Sequence, residues 1–141
     1  MRPLPNFHTT FSFTAINHHD VLLSLNLVAQ KSRGLSPDHL PLEHLKSMFT
    51  TIAPYLTSIF NLSLISGYFP PIWKSSYIIP LKKIANPLCP SDTRPITNPP
   101  HLSKVIDSLV TQQITKYLEI NCILHPKQCG FRKFHSTQTA L

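Results

Sequence analysis

Apolar residues along this chain recur mostly at intervals of three and four, broken by one short β-branched and aromatic run with a returning segment after it. That pattern predicts a mainly helical protein carrying one hairpin. From Asp20 onward, Val21, Leu22, Leu25 and Val28 fall on one helical face; Asp20 is expected to cap this helix, and Gly34, Ser36 and Pro37 to end it. Pro41, suited to a first helical turn, opens a second stretch with Leu42, Leu45 and Met48 on one face. Pro54 is expected to interrupt or restart it, because proline removes an interior hydrogen bond. Leu56, Ile59, Phe60 and Leu64 then mark a helix over 55–66 that stops near Gly67.

Past the aromatic connection Phe69-Pro70-Pro71-Ile72-Trp73, residues 76–81 have the β-branched and aromatic content of a strand, with Pro80 pointing to an edge position. Residues 93–97 supply a returning strand. The intervening loop of about ten residues exceeds the usual 2–5 of a hairpin, so a bulge or mobile tip is expected. Pro99-Pro100 opens the longest regular pattern, in which Leu102, Val105, Ile106, Leu109, Val110, Ile114, Tyr117 and Leu118 repeat at three and four until Asn121. Residues 1–19, with Pro3, Pro5 and a Thr/Ser/Phe alternation, read as an extended, poorly ordered arm. Pro126 and Gly130 exclude a single helix in the polar tail. The fold class expected is α+β: mainly helical with a short antiparallel β-hairpin.

Composition narrows the partner. Among 141 residues, 13 lysines and arginines stand against six acids, a formal charge of +7, and the pI is about 9.6. A polyanion is the natural ligand of such a surface, since phosphate neutralisation releases counterions. At 42% hydrophobic residues the chain belongs with globular rather than disordered proteins, although 14 prolines restrict long regular structure. Three irregularly spaced cysteines argue against a secreted disulfide framework. No run reaches the roughly 18 apolar residues of a membrane span, and no signal peptide opens the chain. An intracellular protein, nuclear or cytoplasmic and not secreted, is expected, with no membrane partner; its oligomeric state is left open.

Three segments, in order, carry a resemblance: Gly67 to Lys83 (GYFPPIWKSSYIIPLKK), Ser91 to Thr97 (SDTRPIT), and Leu102 to Leu141, where a helix leads to Gln-x-Gly-Phe-Arg and His-Ser-Thr. Together they resemble the fingers region of reverse transcriptases from LINE-like, jockey-type non-LTR retrotransposons. Thr93 stands where the family has tyrosine. Upstream, KSRGLSPDHLP resembles a Lys-Ser-x-Gly-x-Asp-Gly-Ile-Pro segment, with His39 in place of a glycine. The resemblance implies a partial fingers/palm subdomain of a right-hand polymerase over residues 20–141, truncated before the palm. It further implies RNA, DNA and deoxynucleotide partners. By resemblance the nucleotide- and template-contacting residues are Lys83, with Lys82 as the alternative, Arg94, and the segment Gln128, Gly130, Phe131 and Arg132. A lysine offers a compact charge and a guanidinium can hold two phosphate oxygens at once. The plain structural alternative is a solvated edge strand for Lys82, Lys83 and Arg94, and a surface loop pinned by Phe131 for the tail.

Polymerisation needs two divalent ions roughly 3.5–4 Å apart, held by converging carboxylates. The six acids, Asp20, Asp38, Glu43, Asp92, Asp107 and Glu119, contain no adjacent pair. No catalytic residue and no metal ligand is therefore expected here, magnesium belonging to the full-length family. Cys122, His125, Cys129 and His135 do not match zinc-module spacing. Trp73 with Tyr68 and Phe69 reads as core aromatics before it reads as a base-stacking face. The expected function is that of an RNA-directed DNA polymerase fragment, inactive alone; the alternatives are a non-catalytic basic nucleic-acid-binding module and a relic without function.

Overall fold

A computed structural model of the chain describes residues 10–32, 36–125, 127–132 and 135–136. Residues 1–9 of the expected arm, and Gly34, lie outside this set. Residues Phe13–Val110 form one compact unit, and the second is drawn from residues before 13 and after 110.

Helix α1 spans His18–Lys31. Asp20 was expected as its cap, but the helix starts earlier. The Asn17 side chain accepts from the Asp20 N–H at 2.9 Å and the Asp20 carboxylate accepts from the Asn17 N–H at 3.0 Å. A reciprocal box satisfies two of the helix's orphan amide donors where an Asp20 cap would satisfy one. The segment just before it is not loose: Ile16 is buried, and its backbone N–H and C=O both bond to the Asn61 side chain, at 2.7 and 2.9 Å.

Helices α2 (Leu42–Ser47) and α3 (Phe49–Ser66) meet at Met48, which serves as C-cap of one and N-cap of the other at φ −91°, ψ 2°. The break expected at Pro54 therefore falls upstream, and Pro54 lies inside α3. Having no N–H, it cannot bond the Thr50 carbonyl. Gly67 ends α3 at φ 66°, as expected for a left-handed C-cap. The chain then turns through a 3-10 segment, Pro71–Lys74, that seats Trp73 in the core.

That core gathers Ile16, Val21, Leu25, Val28, Leu45, Phe60, Trp73, Val105, Ile106 and Leu109. Trp73 meets Phe60 and Phe69 edge-on, with ring centroids 5.6 and 5.7 Å apart, so these rings are core as the plain structural reading held. Tyr68 is exposed. Helix α4 runs His101–Ile120 behind the two prolines, and Ser24 Oγ donates to the Val105 carbonyl at 3.1 Å inside the core. In the second unit, Phe11 packs edge-on against Tyr117. Helix α4 ends in a Schellman motif: the Cys122 N–H bonds the Glu119 carbonyl and the Ile123 N–H bonds the Leu118 carbonyl, with Cys122 at φ 51°. No helix among the described residues is long and apolar enough to cross a membrane.

Two features make predictions. His39 occupies φ 53°, in a turn closed by the His39 N–H to the Ser36 carbonyl and by the Asp38 carboxylate, which accepts from Ser36 Oγ and the Leu40 N–H. The histidine thus adopts the conformation that suits a glycine, at a cost of about 1–2 kcal/mol, partly offset by glycine's greater freedom when unfolded. His39→Gly is expected to stabilise the chain by about 0.5–1 kcal/mol in urea unfolding; a loss of stability would refute the turn.

His101 is buried, its Nδ1 lies 3.3 Å from Ser32 Oγ, and its Nε2 has no hydrogen-bond partner. Burial, and then the Lys104 cation, push its pKa below the ordinary 6.5, against a smaller opposite pull from Asp38. As pH falls, the unfolded chain takes up this proton first, so the stability contributed by neutral His101 is complete above 6.5 and is lost as pH drops through the lower folded value. His101→Gln should flatten the decline of stability that sets in below pH 6.5, and an unchanged slope would show that His101 is not buried neutral.

Candidate nucleic-acid interface

Strands β1 (Tyr77–Lys82) and β2 (Thr93–Asn98) pair antiparallel, from Tyr77 opposite Asn98 to Lys82 opposite Thr93. The ladder continues one step past the strands, where the Lys83 N–H donates to the Asp92 carbonyl at 2.8 Å. This bond sets the alternation. With Lys83 and Asp92 a hydrogen-bonded pair, the pairs Leu81 with Arg94 and Ile79 with Ile96 are too, and Pro80 with Pro95 falls on a non-hydrogen-bonded pair. Neither proline is asked for the N–H it lacks.

The same alternation sorts the candidate cations. Side chains two apart share a face, so Arg94 projects with Tyr77, Ile79, Leu81 and Ile96 from one face of the hairpin, and the ladder bond from Lys83 to Asp92 lies one step beyond β1. Lys82 projects from the other face with Ile78 and Thr93. Every residue of β1 is exposed. The Lys83 ammonium donates to the Ser91 carbonyl at 2.8 Å, which uses one of its three protons. Among the described residues, neither Arg94 nor Lys82 has a side-chain hydrogen bond or an ion pair.

The loop between the strands is organised by a residue that sequence reasoning passed over. The Asp92 carboxylate accepts from the Leu88 and Cys89 amides at 3.0 and 3.2 Å and from the Cys89 thiol at 3.2 Å. A short 3-10 turn, Pro90–Asp92, results. These bonds, led by the Leu88 amide, hold the Asp92 carboxyl below its ordinary value. The signal was present: an acid shortly after Cys-Pro, at the N3 position of a one-turn segment, is a capping pattern on a small scale.

The tail candidates lie in the other unit and differ in state. Arg132 is taken up internally: Nε and Nη2 donate to the two Glu119 oxygens at 2.9 and 2.7 Å, and Nη1 reaches the His125 and Gln128 carbonyls at 3.5 and 3.4 Å. The pairing raises the Arg132 pKa and lowers that of Glu119. Phe131, expected to pin the loop, is instead fully exposed at φ 61°. The pin is Arg132, since a forked guanidinium bridging a helix carboxylate and two loop carbonyls fixes the backbone without help from the ring. Gln128 and Gly130 are exposed.

The carboxylates do not fit a two-ion centre. Asp20 completes the capping box of α1 from its N3 position, Asp38 closes the turn before α2, Asp92 holds the hairpin loop and Glu119 binds Arg132. No group of three or more His, Cys, Asp or Glu side chains that could hold a metal ion occurs among the described residues.

Curated proteins align with most of this sequence. The probable RNA-directed DNA polymerase from transposon X-element is 31% identical over 114 residues, which is 79% of this chain and 13% of that protein. The corresponding protein from transposon BS is 32% identical over 113 residues, 79% of this chain and 12% of its own length. The RNA-directed DNA polymerase from mobile element jockey is 33% identical over 88 residues, covering 62% and 10%. All three are from Drosophila melanogaster. The chain is homologous to the RNA-directed DNA polymerases of non-LTR transposons. It spans between 10 and 13% of the length of these relatives. No family model matches it.

The hairpin loop of this polymerase relative yields a direct test. Because the folded Asp92 carboxyl lies below 3.8, its bonds persist above that pH and are lost as pH falls through the lower folded value. The Leu88 and Cys89 amide resonances should therefore titrate together with a midpoint under 3.8, and Asp92→Asn should abolish that titration. A midpoint at or above the ordinary value would refute the arrangement.

Proposed function

We propose that this stretch is the substrate-gripping fingers portion of a mobile-element reverse transcriptase, with Lys83 and Arg94 contacting the phosphates of the incoming deoxynucleotide. The observation that carries the reading is that Arg94 and Lys82 project from opposite faces of an exposed hairpin, while the Lys83–Asp92 ladder bond extends the alternation by one step, to the Arg94 side. A point-charge ammonium beside a planar guanidinium can bind two phosphate groups, or two oxygens of one, and neither cation here is neutralised by a carboxylate within the described residues. Of the two lysines, the sharing of a face with Arg94 favours Lys83.

Gln128, Gly130, Phe131 and Arg132 form the template-side contribution in this reading. Arg132 would have to exchange Glu119 for a phosphate, and the exposed Phe131 ring offers a face on which a base can stack. RNA, DNA and deoxynucleotide are the partners. Magnesium serves the complete polymerase, bound by carboxylates other than the six of this chain, so the chain alone is expected to give no templated extension.

The test is nucleic-acid binding across a salt series with the 141-residue chain. Each phosphate contact contributes about 0.7–0.9 to the slope of log affinity against log salt, so Lys83→Ala with Arg94→Ala should lower it by about 1.5. An unchanged slope would sink the assignment, and primer extension by this chain with Mg²⁺ would overturn the view that it lacks the chemistry.

A further inference from the structure

A second cationic site lies at the base of the hairpin, in the larger unit, where the last turns of α1 meet the first two turns of α4 and the end of β2. A cavity of about 350 Å³ there is lined by Leu27, Val28, Lys31, Ser32, Lys104 and Ser108. Among the described residues, the partners of Lys104 are neutral. The Lys104 ammonium donates to Asn98 Oδ1 at 2.6 Å and to Ser32 Oγ at 2.7 Å, which fixes its position and leaves its third proton without an acceptor among the described residues. Lys31, in the last turn of α1, is exposed at the same cavity. No carboxylate lines the cavity among the described residues.

Three effects raise the positive potential there. A half-buried ammonium without a carboxylate is an uncompensated charge. Lys104 also occupies the first turn of α4, where the helix's aligned peptide dipoles add positive charge, and that turn contains no acid. Lys31 then brings a second cation to the same space. Burial holds the Lys104 pKa below the usual lysine range. Hydroxyl chemistry is present as well, because Ser32 Oγ accepts from Lys104 and its own proton can turn to His101 Nδ1 or into the cavity.

We propose that this cavity binds a phosphate group, held between the Lys104 and Lys31 ammoniums with the Ser32 hydroxyl as an additional donor. A tetrahedral dianion matches two point charges and a hydroxyl better than a halide or a flat carboxylate does, and lysine binds phosphate as a point charge. The space exceeds that of one oxyanion, so the group can be part of a phosphomonoester or of a phosphodiester strand. The site is independent of Lys83 and Arg94 and does not rest on their assignment.

The test is an NMR titration of the 141-residue chain with inorganic phosphate, with sodium chloride at matched ionic strength as control. Saturable shifts are expected at the Lys31, Ser32, Lys104 and Ser108 amides, without the same response to chloride. Lys31→Ala should weaken binding several-fold. Leu27→Glu, a change at an exposed rim position that places a carboxylate beside the lysines, should abolish it while leaving the circular dichroism spectrum unchanged. Lys83→Ala with Arg94→Ala should leave phosphate binding intact. Displacement of phosphate by a single-stranded oligonucleotide would assign the site to backbone phosphates, and saturation without displacement would assign it to a free phosphate or phosphomonoester. Shifts that rise without saturation, are matched by chloride, or survive Leu27→Glu would overturn the proposal.

Discussion

A wholly buried phenylalanine must be enclosed on every side, and Phe60 has no exposed surface. It belongs to the core cluster that gathers side chains of α1, α3 and α4 in the larger unit, and the Trp73 ring closes against it edge-on. Removing such a ring typically costs about 3–5 kcal/mol, a large share of a small domain's stability. The contact also has a geometric effect. Trp73 lies just before β1, so the packing that closes the core also anchors the root of the hairpin whose strand residues stand in solvent.

Charge is distributed with a comparable division of labour. Four of the six acids, Asp20, Asp38, Asp92 and Glu119, are engaged by amide, hydroxyl, thiol or guanidinium donors that shape turns, helix ends and the tail. Those acids are poorly available to neutralise the lysines and arginines that give the chain its excess of +7. Positive potential therefore persists at the hairpin face and at the α1/α4 cavity, where an approaching polyanion meets little local competition.

Much of this architecture was legible in the residues. The three-and-four spacing after Pro99-Pro100 defined α4, the β-branched and aromatic content of residues 76–81 with a returning segment at 93–97 defined the hairpin, and Gly67 marked the end of α3. Less legible features depended on pairings distant in sequence or on local competition. The start of α1 turned on whether Asn17 or Asp20 faced the first amides, and Asn17 won because the two could cap each other. Pro54 looked like a boundary because its effect on a helix is local, whereas the packing that carries α3 through it is tertiary. Which strand residues face the same way as Arg94 depended on the register, which a loop of about ten residues leaves unspecified. Arg132 was legible as a cation, but its Glu119 partner lies thirteen positions back, beyond any helical spacing rule.

The facing prolines bear on how an isolated two-stranded sheet stays unaggregated. Each strand of such a sheet is an edge, and the outward-directed backbone positions are 78, 80 and 82 on β1 and 93, 95 and 97 on β2. The middle one on either side is a proline, so a foreign strand docking laterally finds its central amide donor missing whichever flank it approaches. Ile78, Ile79, Leu81 and Ile96 can then remain in water without seeding growth of a cross-β stack, because the hairpin offers no continuous template for the next layer.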